Sequence, residues 1–175
     1  EQMVERVVSE GKLKIKGVAC DTLYGRSVWL RRKLGQKELV YLAEVPVDTR
    51  VYLTEPEVTW KGEKKPKQAI SGALGVEVRA LGNEVFGEWE RIRVRATERG
   101  YLEDEFRAVR VWTVGGEESA GQEEWLIARR EESGRVSYGL SNAAGESSLA
   151  ELAKMKCERH FIECSNRKRR VNLMW

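Results

Sequence analysis

The chain has 175 residues, 34% of them charged and 41% hydrophobic, with a formal net charge of +3. That balance suits a globular protein of one or two domains and excludes a low-complexity or collagen-like chain. No run is long and apolar enough to read as a membrane span, and the polar, amphipathic opening "EQMVERVVSEGK" does not read as a signal peptide.

The spacing of Met3, Val4, Val7 and Val8 predicts a helix over 1–10, ended by Gly11. "LKIKGVAC" then reads as a strand that passes from alternation to a continuous apolar run, as strands buried inside parallel sheets do. Asp21 stands at its end. Ser27 is a candidate cap for a short helix, "SVWLRRKL", closed by Gly35. "ELVYLAEVP" reads as a second strand, so the opening suggests a parallel α/β unit.

After Pro46 the pattern changes. "TRVYL", "GVEVRAL", "ERIRVRAT", "FRAVRVWTV", "EEWLIARR" and "RVSYGLS" alternate charged and apolar residues in the manner of strands. "REESGR" reads as a hairpin turn, and "TWKGEKKPKQ" as a polar, mobile loop. A β-rich insertion over residues 46–141 follows from this run of strands. Ser148 with Glu151 fits a capping box that opens a long helix. One face of that helix gathers Lys156, Arg159, Glu163, Arg167 and Arg170, and the end of the chain, "RKRRVNLMW", is strongly basic.

The three cysteines are Cys20, Cys157 and Cys164, without a CxxC pair, and His160 is the single histidine. This argues for a reducing cytoplasm and against a disulfide framework or a zinc site. Asp21 and Glu163 each admit an ordinary reading. Asp21 can cap the turn after its strand, and Glu163 can pair with Arg159 and Arg167 at i±4, which supports exposed helices by about 0.2–0.5 kcal/mol per pair. They also admit a chemical one. Ligand sites in open parallel sheets lie at the carboxyl ends of strands, and carboxylates suit Mg²⁺ and phosphoryl chemistry.

The ordered stretches "GVACDTLYG", "YLAEVPVDTRVYLTEP", "WERIRVRATERGYLEDEFRAVRVW", "EEWLIARR", "YGLSNA" and "LAELAKMKCERHFIECS" carry a resemblance. They are similar to the C-terminal part of bacterial insertion-sequence DDE transposases, from about residue 10 to 165. The resemblance implies an α/β, partial ribonuclease-H-like fold, interrupted by the β-rich insertion and ending in a long helix. Residues 1–45 would open that core, 142–170 would form the helix returning to it, and 171–175 would be a tail. It implies that Asp21 is the second catalytic, metal-binding Asp and Glu163 the third acidic residue. Tyr24 and Gly25 match the turn beside the second Asp. Lys156 occupies a position that is often Tyr in related enzymes, Arg159 matches the family Arg, and Arg170 falls where the family has Lys. Two Mg²⁺ ions would drive phosphodiester cleavage and strand transfer on DNA. Lys156, Arg159, Arg167, Lys168, Arg169 and Arg170 would hold phosphates, and a homodimer would assemble on paired DNA ends in a bacterial cytoplasm, at the nucleoid.

The family also needs an upstream Asp, and residues 1–20 contain none. The tail departs from the family pattern as a frameshift would. The expectation is a truncated transposase that is inactive alone. The alternative is a non-enzymatic β-rich module whose basic helix binds nucleic acid.

Overall fold

The computed structural model describes residues 17–61, 67–97, 100–115 and 121–158. Strand β1 (Val18–Cys20) leads into a one-turn helix, α1 (Thr22–Gly25), and then α2 (Val28–Gln36). Ser27 caps α2 as expected, its hydroxyl accepting from the Leu30 amide at 3.2 Å. Strands β2 (Tyr41–Val45) and β3 (Arg50–Tyr52) follow, then β4 (Glu57–Lys61), β5 (Lys67–Ser71) and β6 (Gly75–Glu77). A 3₁₀ turn (Val78–Ala80) and the short α3 (Asn83–Phe86) lead to β7 (Glu90–Thr97), β8 (Gly100–Thr113), β9 (Gln122–Arg130) and β10 (Val136–Ser141). A final helix, α4, is described over 149–158.

Eight strands form one mixed sheet, with the order β1-β2-β10-β9-β8-β3-β6 and β7 also paired to β8. Among the described residues only the β1–β2 pairing in it is parallel, with Val18 opposite Tyr41 and Cys20 opposite Ala43. The long β8 pairs with β9 on one side and shares its other edge between β7 and β3. β4 and β5 form a separate two-stranded hairpin.

This overturns the expected α/β, ribonuclease-H-like fold ending in a long helix. Among the described residues 46% are strand and 23% helix, and the helices are short. The cause lies in the pairing. The alternating segments after Pro46 do not stand apart from the opening unit. β10 joins the free edge of β2, with Leu140 opposite Ala43, so the hairpin-linked strands extend the sheet that β1 and β2 begin. β1 in turn lies at the edge of the described sheet, with Ala19 exposed, rather than inside it. Two finer expectations also change. "GVEVRAL" is a three-residue strand followed by a 3₁₀ turn. Part of the expected polar loop 59–68 is strand, within the β4–β5 hairpin. Residues 1–16 and 159–175 lie outside the described residues, and with them the expected first helix and the far half of the last one.

Both faces of the central strands are covered. On one face Val45, Val51, Val111, Leu126, Ala128 and Leu140 pack with Val78, Leu81 and Phe86. Beside them Cys20, Tyr41 and Ala43 meet Leu34 of α2. On the other face α4 lays down Leu152 against Leu42, Ile127 and Ala143, and Ala153 and Cys157 against Val94 and Phe106. Burying each of the Val, Leu, Ile and Phe side chains among these contributes about 1.5–3 kcal/mol. Among the described residues, no helix is long and apolar enough to cross a membrane.

Candidate functional site

Asp21 follows β1 directly. Its backbone is extended, and its carboxylate accepts from the Tyr24 amide at 3.1 Å, so it caps α1. Its carbonyl accepts from the Gly25 amide at 2.6 Å. The carboxylate is half-buried at the carboxyl end of the parallel pair, where both of its readings place it. Tyr24 points outward, at 58% exposure, and Gly25 is buried.

Gly25 is required by a close approach. A Cβ there would lie 1.8 Å from the Glu44 carbonyl oxygen. The turn therefore rests directly on the backbone of β2.

Behind the turn is a buried polar network. The Arg31 guanidinium is 2% exposed, and Glu124 is fully buried. Arg31 donates from Nε and Nη2 to the two Glu124 oxygens at 2.8 and 3.2 Å, and from Nη1 to the Gly25 carbonyl at 2.5 Å. Glu124 also accepts from the Tyr41 hydroxyl at 2.6 Å and from the Thr113 hydroxyl. Gln122 donates to the Tyr41 oxygen at 2.6 Å. Burial, then the adjacent Glu124 charge, pushes the Tyr41 hydroxyl far above its ordinary range, so it stays a donor. A buried carboxylate needs such partners, since its desolvation is costly when they are missing.

The last helix reaches the same end of β2. Lys156 donates from Nζ to Glu44 Oε2 at 2.7 Å, and it lies over Gly139, where a Cβ would stand 3.2 Å from that nitrogen. Burial pushes the Lys156 ammonium below the ordinary lysine range, against the opposing pull of Glu44. Thus α1 packs on the Glu44 backbone while α4 pairs with its side chain. Lys156 is 2% exposed, so in this arrangement it offers no open ammonium to a phosphate.

Of the expected site residues, Asp21, Tyr24, Gly25 and Lys156 are described. Glu163, Arg159, Arg167, Lys168, Arg169 and Arg170 lie outside the described residues. Asp21 thus supplies one oxygen-donor side chain suited to Mg²⁺, and Glu163 would have to supply the next. No group of three or more His, Cys, Asp or Glu stands together as a metal site among the described residues.

The tryptophans of the β-rich segment mostly pack. Trp89 lies between the guanidinium groups of Arg107 and Arg130, at 4.2 and 4.5 Å from its ring centre. Trp125 donates to the Ala144 carbonyl at 2.9 Å. Trp60, on β4, is 40% exposed.

Reading the sequence alone missed Arg31, Glu124, Tyr41 and Glu44. A signal existed for two of them. Arg31 falls at i+3 from Val28 and i−3 from Leu34, and Glu124 shares strand parity with Leu126 and Ala128, so each sits in an apolar stripe. Comparison with protein-family models, with curated proteins and with solved structures returned no match.

Proposed function

We propose that this chain is part of a bacterial DDE-type insertion-sequence transposase that acts on DNA in the cytoplasm. Asp21 and Glu163 are two of its metal-binding carboxylates. The observation that supports this most is the meeting of two elements at Glu44. The Asp21 turn rests on its backbone, and the helix leading in sequence toward Glu163 pairs with its side chain. Bound Mg²⁺ would supply activation of the attacking oxygen and stabilisation of the leaving one. Asp21 would hold and orient the ion, its turn already ordered by the Tyr24 and Gly25 amides. The basic residues Arg159, Arg167, Lys168, Arg169 and Arg170 would attract the phosphate backbone without reading sequence.

Manganese binding followed by paramagnetic resonance tests this reading on the 175-residue chain. Asp21→Asn and Glu163→Gln should each weaken binding at least roughly tenfold, since each removes a charged ligand from the same ion. Unchanged binding in both would contradict it.

A second reading draws on the fold. It is a non-enzymatic β-rich module that holds nucleic acid through its basic C-terminal residues, and the predominantly antiparallel sheet supports its β-rich part. Salt-sensitive DNA binding together with no metal effect of either carboxylate would support this second reading.

A further inference from the structure

The strands that follow Pro46 reach back beneath the turn that carries Asp21. The link is a single guanidinium. Arg31, on α2, grips the Gly25 carbonyl at 2.5 Å with one nitrogen. Its other two nitrogens donate to Glu124, on β9, and Nη2 donates to the Thr113 hydroxyl as well. Glu124 is in turn fixed from three sides, by Arg31, by Tyr41 of β2 and by Thr113 of β8. A bidentate arginine–carboxylate pair sets orientation as well as position. The Gly25 amide then closes on the Asp21 carbonyl, and the Tyr24 amide on the Asp21 carboxylate. An unbroken chain of polar contacts thus runs from β8 and β9 to Asp21.

This arrangement exceeds what stability asks. A buried ion pair is often no better for stability than well-packed apolar residues of similar volume. A carbonyl in a one-turn helix could equally face water. Here the carbonyl is turned inward onto a buried charge, and Gly25 is pressed onto β2 where no side chain fits.

We propose that Arg31 and Glu124 are positioning residues that hold the Asp21 turn in a fixed register on the sheet. Their relevance to metal chemistry rests on the function proposed above. The pair makes the β-rich segment a base for the candidate carboxylate rather than an appendage. Tyr41, Thr113 and Gln122 complete the network around it.

The test uses the isotope-labelled 175-residue chain and reads local and global order separately. Amide exchange at Tyr24 and Gly25 reports the turn. Exchange at Leu126, inside the β9 ladder, together with the melting temperature, reports the whole fold. Arg31→Met should speed Tyr24 and Gly25 exchange by roughly tenfold or more beyond any change at Leu126, because it removes a charge-assisted bond to a buried carbonyl. Glu124→Gln, which keeps shape and removes the charge, should act in the same direction, and it carries the test if Arg31→Met fails to fold. The double variant Arg31→Met with Glu124→Leu should recover most of the melting temperature lost by Arg31→Met. It should leave the turn unprotected. Tyr24 and Gly25 exchange that tracks Leu126 in every variant would overturn the inference.

A Mg²⁺ titration of the Asp21 carboxyl carbon resonance separates this from the functional reading. If that resonance does not move in the unaltered chain, the metal assignment fails, and turn protection alone still decides the roles of Arg31 and Glu124. If it moves, the Arg31→Met chain should bind Mg²⁺ several-fold more weakly.

Discussion

The Lys156 ammonium lies 2.7 Å from the Glu44 carboxylate, with side-chain exposures of 1% and 16%. The contact fastens α4 to the end of β2, beside the Asp21 turn. Its two partners are not equivalent. Removing Glu44 strands a charge in the interior, while removing Lys156 leaves a carboxylate that still meets some water. Glu44→Gln should therefore cost about 3–5 kcal/mol, as breaking buried pairs does. Lys156→Met, which refills the space with apolar volume, should cost markedly less. Urea unfolding of the two variants checks the order.

The Glu44→Gln variant should also show a stronger pH dependence than the unaltered chain, of the same sign as acid unfolding but in a more alkaline window. Burial already depresses Lys156, and losing Glu44 depresses it further. Between that lowered value and the ordinary lysine value near 10.4, the unfolded chain binds more protons than the folded one. Stability should rise with pH through that window, and unfolding midpoints at stepped pH read it directly.

Gly25→Ala should be strongly destabilising, although no left-handed backbone is involved. The added methyl would stand 1.8 Å from the Glu44 carbonyl oxygen, and backbone must move to admit it. Overpacking of this kind costs about 1–3 kcal/mol or more. Thermal melting measures the loss. The same substitution should loosen Asp21, since the Gly25 amide bonds its carbonyl.

Acid should remove stability in a defined window. Arg130 holds Glu105 below the usual carboxylate range, Arg110 does the same for Glu123, and the Ser148 amide and hydroxyl do so for Glu151. Each contribution is complete above the unfolded value near 4.3. Each fades as pH falls through the lower folded value, because the unfolded chain then binds more protons. Urea midpoints between neutral pH and pH 3 should fall, and the combined Glu105→Gln and Glu123→Gln variant should flatten that decline.

DNA affinity should fall steeply with salt, by a slope of about −0.9 per phosphate contacted. Replacing Arg167, Lys168, Arg169 and Arg170 with Ala should reduce that slope by roughly 3–4 and weaken all sequences alike. Fluorescence anisotropy on two unrelated duplexes at stepped salt provides both numbers. A loss confined to one duplex would contradict a backbone-only role.

Local chemistry was the readable part of this sequence. Ser27 caps α2, and Ser148 and Glu151 form the reciprocal bonds of a capping box at 2.9 and 3.3 Å, because caps depend on residues three apart. The segments read as strands from alternating charged and apolar residues do form β7 to β10. The sheet order was not readable. Nothing near Ala43 says that Leu140 will lie beside it, and a continuous apolar run such as "LVYLA" suits a buried parallel strand and a buried mixed one equally. Asp21 was found by its place after an apolar run. The Arg31–Glu124 pair was not, because its members are 93 positions apart and each resembles an ordinary charged residue.

In the function proposed here, Asp21 and Glu163 share one metal site. An experimental structure of the 175-residue chain soaked with Mn²⁺ tests it most directly. Metal–oxygen bonds near 2.1 Å imply carboxylate oxygens within roughly 3–7 Å of each other across one ion or a metal pair, and the account predicts that separation with Mn²⁺ density between them. Carboxylates far apart on different faces of the molecule, with no metal at Asp21, would contradict it and leave Asp21 as the cap of a turn.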